Sequence, residues 1–140
     1  MPAPDRPRSL RVGLMLGVAA MAAVDEVVFH QLLAWHHFAE AAPLPSDGVL
    51  HIATAVALVV GAVGMVRSLP WSRRRAVGAV LTGAGGFNLF DGIVDHKVLR
   101  LHQVREGVPD LLPYDVAWIA GSALVLLAGL LVLRGSAAPR

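Results

Sequence analysis

Asp25, His30 and His36 recur 66 residues later as Asp91, His96 and His102. The shared pattern is D-x4-H-x5-H, carried once by "DEVVFHQLLAWHH" and once by "DGIVDHKVLRLHQ". Only six histidines occur in the 140 residues, so two aligned pairs behind two aligned acids point to a repeat. Imidazole and carboxylate are ligands of first-row transition metals, and both bind in the deprotonated form. The chain has no cysteine, which excludes disulfides, thiolate metal sites, iron–sulfur clusters and cysteine nucleophiles. Histidine without thiolate suits Cu(II), Zn(II), iron or manganese. A divalent cation would also neutralise Asp25 and Asp91, each of which costs ~2.5–3.5 kcal/mol in the middle of a membrane helix.

The elements that must carry these residues are membrane helices. Hydrophobic residues make up 56% of the chain and charged ones only 16%, against roughly 25% charged in soluble domains. Four apolar runs stand out: Arg11 to Trp35, Val49–Val66, Ala76–Val94 and Val116–Leu133. Each supplies the ~20 helical residues needed to cross a hydrocarbon core of ~30 Å. Backbone groups in lipid must bond within their own segment, so the expected fold is all-α, an integral membrane four-helix bundle. Glycine and alanine in "GAVG" and "TGAGG" suit close helix packing in lipid. No basic run alternates with aromatics, which argues against nucleic acid as a partner. The expected partner is the lipid bilayer, with a homo-oligomer left open. The basic start and "AMAAV" also fit a signal peptide, but the repeat makes the first span part of the architecture.

Arginines set the expected orientation. Arg6, Arg8 and Arg11 precede span one, Arg67, Arg73, Arg74 and Arg75 lie between spans two and three, and Arg134 and Arg140 follow span four. The positive-inside rule makes that side, with both termini, cytoplasmic, as in a bacterial inner membrane. "AEAAPLPSDG" and "REGVPDLLPYD" then face outward, with Lys97, Arg100 and Arg105 as mild exceptions. Trp71 is expected near the inner boundary, Trp35 and Trp118 near the outer one.

The repeat reads as two tandem helical hairpins, residues 11–67 and 76–134, related by a pseudo-two-fold along the membrane normal, with a site at their interface. Counting ~1.5 Å per residue from the arginines puts Asp25, Asp91 and His51 at ~21–24 Å. His30, His96 and Asp115 follow at ~28–31 Å, with His36, His37 and His102 further out at the mouth. At ~100° per residue Asp25 and His36 share a stripe, as do Asp91 and His102, whereas His30 and Glu26 lie ~120° round. One interior could hold both stripes only if the helix bends. Glu26, four residues before His30, Asp95 and Asn88 are candidates to orient the histidine rings. Asp47 is as much a candidate helix N-cap as anything else. His37 is expected to be exposed.

Standard catalytic signatures are missing: there is no H-E-x-x-H, P-loop, G-x-S-x-G or ferritin-like Glu-x-x-His. "DEVVFHQLLAWHHF", "GFNLFDGIVDHKVLRLHQVR" and "LPYDVAWIA" together resemble the domain of unknown function 2243 family, small bacterial membrane proteins. The resemblance covers roughly Arg11 to Leu133 and implies four spans with distinctive histidine boxes. Lys97 and Gln103 stand where such proteins often have histidine, and Glu26 where glycine is common, which makes Lys97 and Gln103 poor ligands.

The expectation is therefore a transition-metal site near the outer face, built from Asp25, His30, His51, Asp91 and His96. His36 and His102 are either further ligands or solvated interface histidines. Copper is favoured over zinc or iron, in metal handling or in support of a respiratory oxidase. A membrane metal-dependent oxidoreductase and a bis-histidine haem protein are the alternatives.

Overall fold

The computed structural model describes residues 6–68 and 72–137; Trp71, expected at the inner boundary, lies outside them. The described residues form four helical segments: α1 (Arg6–Val24), α2 (Pro43–Arg67), α3 (Arg73–Phe90) and α4 (Leu112–Ala137). With their continuations, all four are long and apolar enough to cross a membrane. α2 and α4 begin earlier than hydropathy alone marks them. The prolines at Pro43 and Pro113 are tolerated because a first helical turn has no partner for the N–H that proline lacks. Ser72 starts α3 by accepting the Arg75 N–H at 3.1 Å, which satisfies one orphan donor.

The packing order is α2–α1–α3–α4. α1 and α3 form the centre, α2 packs on α1 and α4 on α3, with no contact between α2 and α4 among the described residues. Backbones touch directly at the centre. A Cβ on Gly17 would run into the carbonyl of Val80, and one on Gly83 into the carbonyl of Leu14. Gly83 follows Gly17 by 66 residues, as Val80 follows Leu14, so this contact is reciprocal at the offset of the histidine motif.

α1 and α3 do not run on as straight α-helices. Each passes into a π-helical segment, Asp25–Leu32 and Asp91–Val98, whose hydrogen bonds reach back five residues. Leu33 N–H donates to Val28 O at 2.8 Å, and Leu99 N–H to Val94 O at 2.7 Å. Two residues beyond each segment the chain enters the left-handed region, at Ala34 with φ 48° and Arg100 with φ 53°. That conformation stops a helix and turns the chain, here at a cost of roughly 1–2 kcal/mol per residue for lack of glycine. The expected continuous helix to Trp35 is thereby corrected. Span one stops at Leu32, and the "WHH" that follows folds back over the helix ends.

Candidate metal centre

The π segments explain how D-x4-H becomes a site. In an α-helix, residues i and i+5 point apart; a π-helix brings them to one face. His30 Nε2 lies 3.4 Å from Asp25 Oδ2, and His96 Nε2 lies 3.2 Å from Asp91 Oδ2. The chain reversal then returns the third member of each motif. His36 Nε2 comes to 3.7 Å from Asp25 Oδ1, and His102 Nε2 to 3.9 Å from Asp91 Oδ1. Each motif therefore wraps one carboxylate with two imidazoles. The two stripes that a straight helix would hold ~120° apart meet because the helix widens and then ends.

The two triads are in contact. His36 and His102 stack with ring centroids 4.6 Å apart, and His30 and His96 meet them edge-on at 4.6 and 4.7 Å. All six residues are 5% exposed or less. Ligand atoms of Asp25, His30 and His36 lie within 4.8 Å of one another, as do those of His36, His96 and His102.

Hydrogen bonding fixes which nitrogen is free. His36 Nδ1 donates to Val104 O at 2.8 Å, and His102 Nδ1 to Phe38 O at 3.3 Å. A carbonyl can only accept, so both Nδ1 atoms carry a proton and both Nε2 atoms face the cluster. His30 Nδ1 faces Asp47 Oδ1 at 3.1 Å. All four Nε2 atoms, with Asp25 Oδ1 and Asp91 Oδ2, are buried without a hydrogen-bond partner among the described residues. Buried polar atoms are rarely left so, and each costs roughly 1–3 kcal/mol. Burial first, and then the neighbouring His36, pushes the His102 imidazole down to about 4, which leaves it neutral and able to ligate at pH 7.

Other expected residues fall elsewhere. His51 does not join the cluster; its side chain is 55% exposed and its Nδ1 meets Glu26 Oε2 at 2.8 Å. Glu26 is fully buried and holds His51 and Gln31, not His30. Gln31 is five residues on, so the same π geometry that serves Asp25 redirects Glu26. Asp95 is half-buried and supplies its backbone carbonyl to Leu101 N–H at 2.9 Å. Asn88 supplies its backbone carbonyl to Trp118 Nε1 at 3.2 Å, and its side-chain Oδ1 makes no hydrogen bond among the described residues. His36 and His102, expected at a wet mouth, are instead among the most enclosed side chains. His37, expected exposed, is half-buried on Asp47 Oδ2 at 2.6 Å.

Four contributors were not legible as site residues. Asp47 is no N-cap; Ala42 holds that place, and Asp47 receives His30, His37 and the Phe38 N–H. The carbonyls of Phe38 and Val104 lie on the loops and carry no side-chain signature. Trp118 is buried against His96, rings 5.7 Å apart, in a space that opens because residue 92 is glycine: a Cβ there would lie 2.6 Å from the indole.

Two of the basic exceptions on the outer side have partners. Arg105 stacks on Trp35 and Tyr114 and donates to the Tyr114 hydroxyl at 2.7 Å. Lys97 Nζ meets Asp115 Oδ2 at 2.6 Å and Gln103 Oε1 at 2.9 Å.

A family model described as a predicted membrane protein, DUF2243, matches residues 12–136, which include both motifs, α2, α3, most of α1 and α4, and the loops that close the site. The chain belongs to this family. No curated protein and no solved structure matches it. Membership agrees with the expected membrane protein, and the four long apolar helices agree with the expected four spans.

Proposed function

We propose that this membrane protein binds a transition metal, copper ahead of zinc or iron, among Asp25, His30, His36, Asp91, His96 and His102. The observation that carries this is the set of four inward Nε2 atoms, each without a hydrogen bond and 3.2–3.9 Å from a buried carboxylate oxygen. Nitrogen donors rank copper highest in the Irving–Williams order. Two carboxylates against a divalent charge also remove the penalty of burying them bare. His51 is left out of the ligand set because Glu26 holds it. The arginine distribution supports cytoplasmic termini in a bacterial inner membrane, which sets the site beneath the two outer loops. The reciprocal contacts support two hairpin copies related by a pseudo-two-fold.

The same geometry weighs against haem. Ring centroids 4.6–6.1 Å apart leave no gap between histidines for a porphyrin plane. A metal-dependent oxidoreductase remains the second reading, favoured by one feature. A cleft of about 600 Å³, walled by Phe29, Trp35, Tyr114 and Trp118, adjoins the cluster through Trp118 and Phe29. That volume is within the range of small-molecule sites.

The test is metal analysis of the purified full-length protein after loading with Cu(II), Zn(II) or Fe(II) and removal of free ion. Retained metal in the wild type, lost in His36→Ala with His96→Ala, supports the site. Equal retention in both proteins contradicts it.

A further inference from the structure

The two triads match at the offset of 66 in nearly every respect except what stands behind the inner histidine. In the first, Asp47 near the start of α2 takes up His30 Nδ1 at 3.1 Å, and so fixes the ring and its tautomer. In the second, the corresponding atom, His96 Nδ1, is buried with no hydrogen-bond partner among the described residues. Asp115, in the first turn of α4, is the counterpart in chain order of Asp47 near the start of α2. Its Oδ1 is likewise buried and unpartnered, while its Oδ2 is held by Lys97 at 2.6 Å. Lys97 also occupies Gln103, which stands where the first copy has His37. In the first copy His37 adds to the grip on Asp47. One ammonium thus replaces the whole arrangement that orients His30.

Carboxylates behind metal-bound histidines fix ring orientation and raise ligand basicity, and their loss typically weakens metal binding by ~10–100-fold. We infer that the cluster holds two metal ions at unequal positions, a tight one in the Asp25–His30–His36 triad and a weaker one at His96 and His102 beside Asp91, and that Lys97 sets the difference by engaging Asp115. This rests on the metal reading above. Lys97 is a positioning residue; it acts through Asp115 and touches no ion.

The test is a competition titration of metal-free, full-length protein in detergent with Cu(II), repeated with Zn(II), against a chromophoric chelator. The wild type should take up two ions, the second ~10–100-fold more weakly than the first. Lys97→Met should raise the second affinity at least several-fold and leave the first unchanged. Asp47→Asn should weaken the first and leave the second. Circular dichroism and gel filtration select variants that keep wild-type helicity and size, and Lys97→Gln serves if Lys97→Met does not. Two ions of equal affinity, a single ion, or a second affinity that ignores Lys97 overturns the inference and leaves the metal site standing. No retained ion in the wild type removes the metal reading itself.

Discussion

His36 and His102 stack face to face, 4.6 Å between centroids and 6° between planes, and each hydrogen-bonds the loop that carries the other. Residue 36 reaches the carbonyl of 104, and residue 102 that of 38. This exchange locks the two outer loops together at the point where the two motifs meet, and it leaves both Nε2 atoms free. Structure and chemistry are joined here, since the bonds that hold the loops also select the tautomer that can bind a metal.

Replacing either ring should therefore have two consequences. His36→Ala removes an imidazole from the cluster and strands the Val104 carbonyl, at a cost of about 1–3 kcal/mol to the metal-free protein. Thermal melting in detergent should show that loss. Addition of Cu(II) at a hundred times its Kd should stabilise the wild type by about 2.7 kcal/mol and His36→Ala by far less. Equal metal stabilisation in both proteins would be evidence against His36 as a ligand.

His51→Ala provides the contrast. Sequence depth alone makes His51 a ligand, but the fold gives it to Glu26. The variant should retain wild-type metal stoichiometry by elemental analysis, with some loss of stability from the buried Glu26 it leaves with one partner fewer. A drop in stoichiometry would return His51 to the site.

The motif spacing was readable in the sequence, but its geometry was not. D-x4-H at ~100° per residue separates Asp25 from His30, and only the π segments reunite them. An i, i+5 pairing repeated at Asp25–His30 and Asp91–His96 was the available signal for a wider helix. The spans were legible because lipid enforces length and apolarity. His36 and His102 were misplaced outward because nothing in "LLAWHH" or "VLRLHQ" announces a left-handed residue; Ala34 and Arg100 adopt it without glycine. Asp47 was hidden by distance, since its role depends on α2 lying against the first π segment.

The central helix pair depends on the reciprocal glycines. Gly83→Leu should destabilise the protein by about 1–3 kcal/mol, because its side chain has only the Leu14 backbone to enter. Gly17→Leu should do the same against Val80. Gly86→Ala, which meets open space, should be neutral or stabilising by up to about 1 kcal/mol. Melting curves of the three variants test this, and a loss in Gly86→Ala equal to that in Gly83→Leu would contradict it.

The enclosed state of His102 makes metal-free stability depend on pH. Its folded value is depressed to about 4 from the usual 6.5 by burial and by His36. The unfolded chain therefore binds this proton first. The stability it contributes is complete above pH 6.5 and is lost as pH falls through about 4. Melting temperature of the metal-free protein should fall across that window, and His102→Gln should flatten the fall. An unchanged slope in the variant would assign the pH dependence to other groups.

The central claim is that an ion sits among the Nε2 atoms beside Asp25 and Asp91. Anomalous diffraction at the absorption edge of the bound metal, on crystals of metal-loaded full-length protein, tests it most directly. The expected result is a peak about 2.0–2.1 Å from Nε2 atoms of the His30, His36, His96 and His102 group, as for imidazole-bound zinc. A protein loaded with Cu(II), Zn(II) and Fe(II) in turn that shows no peak there, or shows its peak at His51 and Glu26, would contradict it.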